Sequence, residues 1–140
     1  MKKLFLIDAY ALIFRFYYAF IGRPMRNADG VNTSAVFGFV RYINEIIRRE
    51  NPHYLGVAFD PPGGNFRHEL FADYKANRGE TPEDIIVSVP YIKEFLEAMR
   101  IPVIEVPGYE ADDVIGTLSR EAAEAGFEVF MVTPDKDYGQ

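Results

Sequence analysis

Hydrophobic positions along the chain fall into two alternating rhythms. Short, nearly unbroken apolar runs at Leu4 to Asp8, His53 to Asp60, Pro102 to Val106 and Phe127 to Thr133 have the length and the β-branched and aromatic content of strands buried on both faces. Between them the spacing is helical. Tyr10 to Phe20 predicts an apolar helix packed on a sheet, and a loop over Gly22 to Asn32 follows. Thr33 then predicts the cap of a helix reaching about Arg49, with Val36, Phe39, Val40, Ile43, Ile46 and Ile47 on one face. Beyond the turn signal Pro61-Pro62-Gly63-Gly64, helices are expected at about 66–78 and from Thr81, as cap, to Met99. The second of these has Pro82 in its first helical position and a kink at Pro90. Ala111 to Ala125 predicts a last helix, stopped by Gly126. Strands separated by helices imply right-handed crossovers, hence an α/β fold: a parallel twisted sheet with helices on both faces.

Each strand-like run leads into carboxylates: Asp8 after the first, Asp60 after the second, Glu110, Asp112 and Asp113 after the third, Asp135 and Asp137 after the fourth. In an open parallel sheet all strands end along one edge, so acids far apart in sequence converge there. Two carboxylates about 4 Å apart repel by roughly 4 kcal/mol at an effective dielectric near 20, which protonation or a bound cation must relieve. Taken singly, Asp8 and Asp60 read equally well as turn formers or caps. The acids at 110–113 also suit a helix start, and Asp135 and Asp137, flanking Lys136, a solvated loop. Capping needs one acid per helix, and the joint pattern favours a shared divalent-metal site.

Composition narrows the metal. The 140 residues hold no cysteine and only two histidines, His53 and His68, which leaves a hard, oxygen-ligated cation, Mg2+ or Mn2+. A hydrophobic content of 49%, with 15% aromatics, supports a single domain with a sizeable core. The first residues, MKKLFLIDAYALIFRFYYAF, are interrupted by Asp8 and Arg15 and carry no small-residue cleavage site, so a mature cytoplasmic protein without membrane contact is expected. The net charge of −6 disfavours a nonspecific polyanion binder unless the acids are engaged with metal. Paired divalent ions drive in-line phosphodiester hydrolysis without a side-chain nucleophile, and neither a Gly-x-Ser-x-Gly motif nor a Walker phosphate loop is present.

On a helix at 66–78, Arg67, Phe71, Tyr74, Lys75 and Arg78 fall within about 100° of one another, opposite Glu69 and Asp73. Such a basic and aromatic stripe suits phosphates and unpaired bases, although a mixed-charge surface helix has the same spacing. Its place directly after Asp60 favours a nucleic-acid strand led toward the metals.

These residues are recognisable. Leu6-Ile7-Asp8, Gly30-x-Asn32-Thr33-Ser34-Ala35-x-Phe37-Gly38-Phe39, Phe59-Asp60, Phe66-Arg67-x-Glu69, Tyr74-Lys75-x-x-Arg78, Gly108-Tyr109-Glu110-Ala111-Asp112-Asp113 and Thr133-Pro134-Asp135-Lys136-Asp137 closely resemble the 5′-nuclease (flap endonuclease) family over the whole chain. Within that family the chain is most similar to the 5′-to-3′ exonuclease domains of bacterial DNA polymerases. The resemblance implies a PIN-like fold and metal-dependent cleavage of 5′ ends and 5′ flaps of DNA, with removal of RNA primers from primer–DNA hybrids. It also implies fusion to a polymerase domain in the parent protein. Matched by position, Asp8, Asp60, Glu110, Asp112, Asp113, Asp135 and Asp137 become metal-binding acids, with Asp60 and Asp112 central to catalysis. Lys75 and Arg78 become the catalytic cations at the scissile phosphate, and Arg67, Tyr74 and Arg15 further DNA contacts. Two departures stand out. Ala9-Tyr10 replaces the glycine usual after the first aspartate. The chain also stops at Gln140, where the family continues with further aspartates and a helix-three-turn-helix. Residues 1–140 are thus expected to be the N-terminal metal-binding part, with 61–99 a helical gateway, a poorly held second ion and little activity in isolation. Two other readings compete: a PIN-type ribonuclease and a noncatalytic nucleic-acid or protein-binding module.

Overall fold

The computed structural model describes residues 1–61 and 81–132. Four parallel strands, β1 (Lys3–Asp8), β2 (Tyr54–Ala58), β3 (Val103–Ile104) and β4 (Glu128–Val132), form one sheet in the order β3-β2-β1-β4. The helices among the described residues are α1 (Ala9–Ala19), α2 (Ser34–Glu50), α3 (Glu83–Ala98) and α4 (Ala111–Glu124). The expected α/β architecture is therefore the one observed. The helix expected at 66–78 lies outside the described residues, as does everything from Thr133 onward.

The two-residue period of β1 sorts its side chains cleanly. Phe5 and Ile7 join Val57, Phe59 and Val132 in a core shared with α1, α2 and α3, while Leu6 joins Ala58, Ala111 and Ile115 beneath α4. Three helices thus cover one face and α4 the other. Handedness explains the change of side. The chain moves from β1 to β2 to β3 in one direction, then must return past β1 to β4, and a right-handed crossover in the opposite direction runs over the opposite face.

The face of α2 follows the predicted spacing, with Phe39, Ile43 and Ile46 buried. Its cap does not. Thr33 occupies the capping position without a side-chain cap bond, and Asn32 Oδ1 instead accepts from the Ser34 N–H at 3.0 Å. At the start of α3, Pro82 is the capping residue and not the first helical one. Its extended ψ of 141° leaves its carbonyl to accept from the Ile85 N–H at 3.0 Å, and Glu83 and Asp84 fill the first turn, where acids suit the helix dipole. The helix continues through Pro90, which is exposed and leaves the Ile86 carbonyl without its usual backbone donor. Strand β3 is shorter than the expected 102–106 because the chain turns at Val106 into the next helix. Glu83–Ala98, which lies within the expected gateway at 61–99, buries Ile85, Ile92 and Leu96 completely in the main core.

Close contact between α1 and α2 requires Gly38. A Cβ there would stand 2.4 Å from Cγ of Phe16, far inside van der Waals contact. Alanine in a helix interior normally gains roughly 0.5–1 kcal/mol over glycine. Gly38→Ala is expected to reverse that sign and cost about 1–3 kcal/mol through overpacking. Chemical denaturation checks this, and a neutral or stabilising result would show that Phe16 withdraws freely.

Candidate metal centre

Strand order reverses between β1 and β4, so the carboxyl edge beside them is the crevice where open α/β sheets bind ligands. Asp8 closes β1 at this point. The register aligns Asp8 with Ala58 on β2, and Ala58 with Ile104 on β3, so the chain leaves all three strands at one level. By the two-residue alternation, Asp8 and Asp60 follow Leu6 and Ala58 toward the α4 face. Asp8 Oδ1 accepts from the Ala11 N–H at 3.3 Å and so caps α1.

The start of α4 meets the same edge. Val106-Pro107-Gly108-Tyr109 is a turn closed by a bond from the Tyr109 N–H to the Val106 carbonyl at 3.1 Å. Pro107 suits its second position, and Gly108, with φ of +89°, supplies the left-handed residue that a type II turn needs at its third. The turn delivers Glu110 to the capping position of α4, where it is buried, followed by half-buried Asp113 and exposed Asp112. Carboxylate oxygens of Glu110, Asp112 and Asp113 all lie within 4.8 Å of one another. The Ala111 N–H, in the midst of them, donates to Asp60 Oδ1 at 2.7 Å. A fourth carboxylate, two residues past the end of β2, is thereby bound to the same helix terminus.

Of the seven acids expected to converge, the structure brings Glu110, Asp112 and Asp113 into one ligand-sized group and bonds Asp60 to its helix, with Asp8 on the same edge. Asp135 and Asp137 lie outside the described residues, as do Arg67, Tyr74, Lys75 and Arg78. Arg15 is exposed on α1, whose buried residues are Ala9, Leu12 and Ile13. The donor set is all oxygen and suits a hard divalent cation. Carboxylates gathered within 4.8 Å repel one another, the more so the less water reaches them. The N-terminal dipole of α4 offsets only about 0.3–1 kcal/mol of that for each acid.

Sequence reasoning missed a layer directly beneath. Tyr10, on α1, sets its ring edge-on against Phe59 with centroids 5.8 Å apart. Burial raises its hydroxyl above the ordinary tyrosine value, and the nearby charges of Asp60 and Glu105 push it in the same direction. Glu105 itself accepts from Lys93 Nζ at 2.8 Å. Lys93 and Glu105 sit on different elements, and no local spacing rule joins them. Among the described residues, no helix is long and apolar enough to cross a membrane.

Two predictions follow from these charges. Asp112→Asn is expected to raise metal-free stability by up to about 1 kcal/mol, discounted for its exposure. The same change should remove most of the gain in melting temperature on adding Mn2+, and calorimetric melts with and without the metal read both. For Tyr10, a raised folded pKa means stability that is complete below the ordinary value of 10.0 and lost as pH climbs through the folded value. Wild type should therefore lose more stability than Tyr10→Phe between pH near 9 and pH near 11, as melting across that range shows.

A family described as "5'-3' exonuclease, N-terminal resolvase-like domain" matches residues 3–140. The 5'-3' exonuclease of Aquifex aeolicus is 40% identical over 137 residues, which cover 98% of this chain and 47% of that protein. DNA polymerase I of Bacillus caldotenax is 43% identical over 140 residues, covering 99% of this chain and 16% of the polymerase. The chain thus spans less than half the length of these relatives. Among solved structures, a bacteriophage T5 flap endonuclease in complex with DNA and metal ions superposes with a TM-score of 0.58 at 20% identity, over 96% of this chain and 49% of that one. The catalytic core of Rad2 in complex with a DNA substrate gives a TM-score of 0.53 at 20% identity, over 98% and 46%. These likenesses show the fold, that of the PIN-like flap endonucleases.

Proposed function

The chain belongs to the family of 5'-3' exonuclease N-terminal, resolvase-like domains, and from that membership and the carboxylate site we propose that it hydrolyses phosphodiester bonds at 5′ ends and 5′ flaps of DNA. The observation that carries the reading is the meeting of Glu110, Asp112 and Asp113 within 4.8 Å, with Asp60 bonded to the same helix start. Mg2+ or Mn2+ is the cation that this donor set fits, held by these acids and by Asp8, with Asp135 and Asp137 serving a second ion. When bound, the cation supplies Lewis acidity toward a phosphate oxygen and toward the attacking water. The protein's own part is positional. Asp60, oriented through the Ala111 N–H, and Asp112 hold the reacting centre in place. Lys75 and Arg78 neutralise charge on the scissile phosphate, while Tyr74, Arg67 and Arg15 steer the strand.

The parent protein acts in the cytoplasm on flaps, 5′ ends and RNA primers paired to DNA, in line with relatives named DNA polymerase I, to which such a domain is fused. Incubation of a 5′-flap oligonucleotide with these 140 residues is expected to release 5′ products slowly with Mg2+ and none with chelator. Asp60→Asn and Lys75→Ala should each cost on the order of 10²- to 10³-fold in rate, as for other fixed electrostatic groups. Cleavage of single-stranded RNA with indifference to the flap would point instead to a ribonuclease.

A further inference from the structure

Beneath the metal-facing side of the β2 end lies an ion pair to which the proposed chemistry gives no role. Neighbouring residues of an extended chain project to opposite sides, so Asp60 reaches toward α4 while Phe59 reaches into the α3 layer. Phe59 is buried, and its N–H donates to the Ile104 carbonyl at 2.8 Å, continuing the β2–β3 ladder by one rung. Its ring meets Tyr10 edge-on with centroids 5.8 Å apart, and Lys93 Nζ stands 4.9 Å from its centroid. Glu105, one residue past β3, binds the same ammonium at 2.8 Å. Three elements, α1, α3 and the end of β3, therefore converge on the residue that immediately precedes Asp60.

We propose that Lys93, held by Glu105 against the Phe59 ring, is a positioning residue that sets the angle at which Asp60 approaches the metal site. Half-buried and desolvated on one side, the ammonium gains from both the carboxylate and the ring face, which makes the arrangement directional. Phe59 and Asp60 are joined by one peptide bond, so packing that fixes the Phe59 ring also limits how far the backbone carrying Asp60 can shift. The inference rests on the metal-site reading above and deepens it.

The sign of one measurement separates positioning from plain charge. Lys93→Met deletes a positive charge near the site, and electrostatics alone would tighten cation binding. Positioning requires the opposite: Mn2+ affinity, measured by titration calorimetry on the full 140-residue chain, should weaken by about tenfold, the lower end of losses for outer partners of metal ligands. Lys93→Arg, which keeps a cation for Glu105 and for the ring, should bind Mn2+ nearly as wild type does. Lys93→Gln serves if the methionine variant fails to fold. Unchanged or tighter Mn2+ binding in a folded variant, with only the metal-free melting temperature lowered, would overturn the proposal and leave the metal site standing. A wild-type chain that binds no Mn2+ would remove both.

Discussion

Right-handedness of parallel crossovers is the constraint from which the geometry of the site descends. With β1, β2 and β3 laid down in one direction, α3 carries the chain between β2 and β3 over the face that α1 and α2 also cover. Reaching β4, on the far side of β1, then compels α4 onto the other face. A helix that follows β3 must also begin at the carboxyl edge. The N-terminus of α4 is thus brought to the one edge where β1 and β2 discharge Asp8 and Asp60.

Electrostatics then decide what such an edge can do. An N-terminus with unpaired N–H groups attracts anions, and Asp60 uses that attraction through the Ala111 N–H. Three further carboxylates within 4.8 Å crowd more negative charge than one helix dipole offsets, an arrangement that could hold a metal ion. The turn at Val106–Tyr109 brings Glu110 to the start of α4, and Phe59 packs into the large core on the opposite face.

Much of this was legible in the chain itself. Runs such as LFLID and YLGVAF read as strands because a parallel sheet buries both faces, and the acids that end them could converge nowhere but at one edge. The spacing of Phe39, Ile43 and Ile46 gave the buried face of α2 because helical period and burial coincide there. Capping was less readable. Thr33 has the right chemistry, yet Asn32 takes over, since it also reaches Asp84 on α3 at 3.3 Å and gains a tertiary partner. The Lys93–Glu105 pair and the ring contacts of Phe59 were invisible for a similar reason: they join residues through the packing of separate elements. Propensity rules describe neighbours along a chain, and these residues are neighbours only across it.

Asp8 illustrates how one side chain can hold two offices. Its carboxylate stands at the carboxyl end of β1 and accepts from the Ala11 N–H at the first turn of α1, a helix whose Ala9, Leu12 and Ile13 are wholly buried. Truncation to alanine would unfasten that turn, so any effect on a ligand and a loosened architecture would arrive together and be mistaken for one another. Asparagine preserves the acceptor and removes only the charge. For this position the amide, and not the methyl, is the substitution whose phenotype can be interpreted.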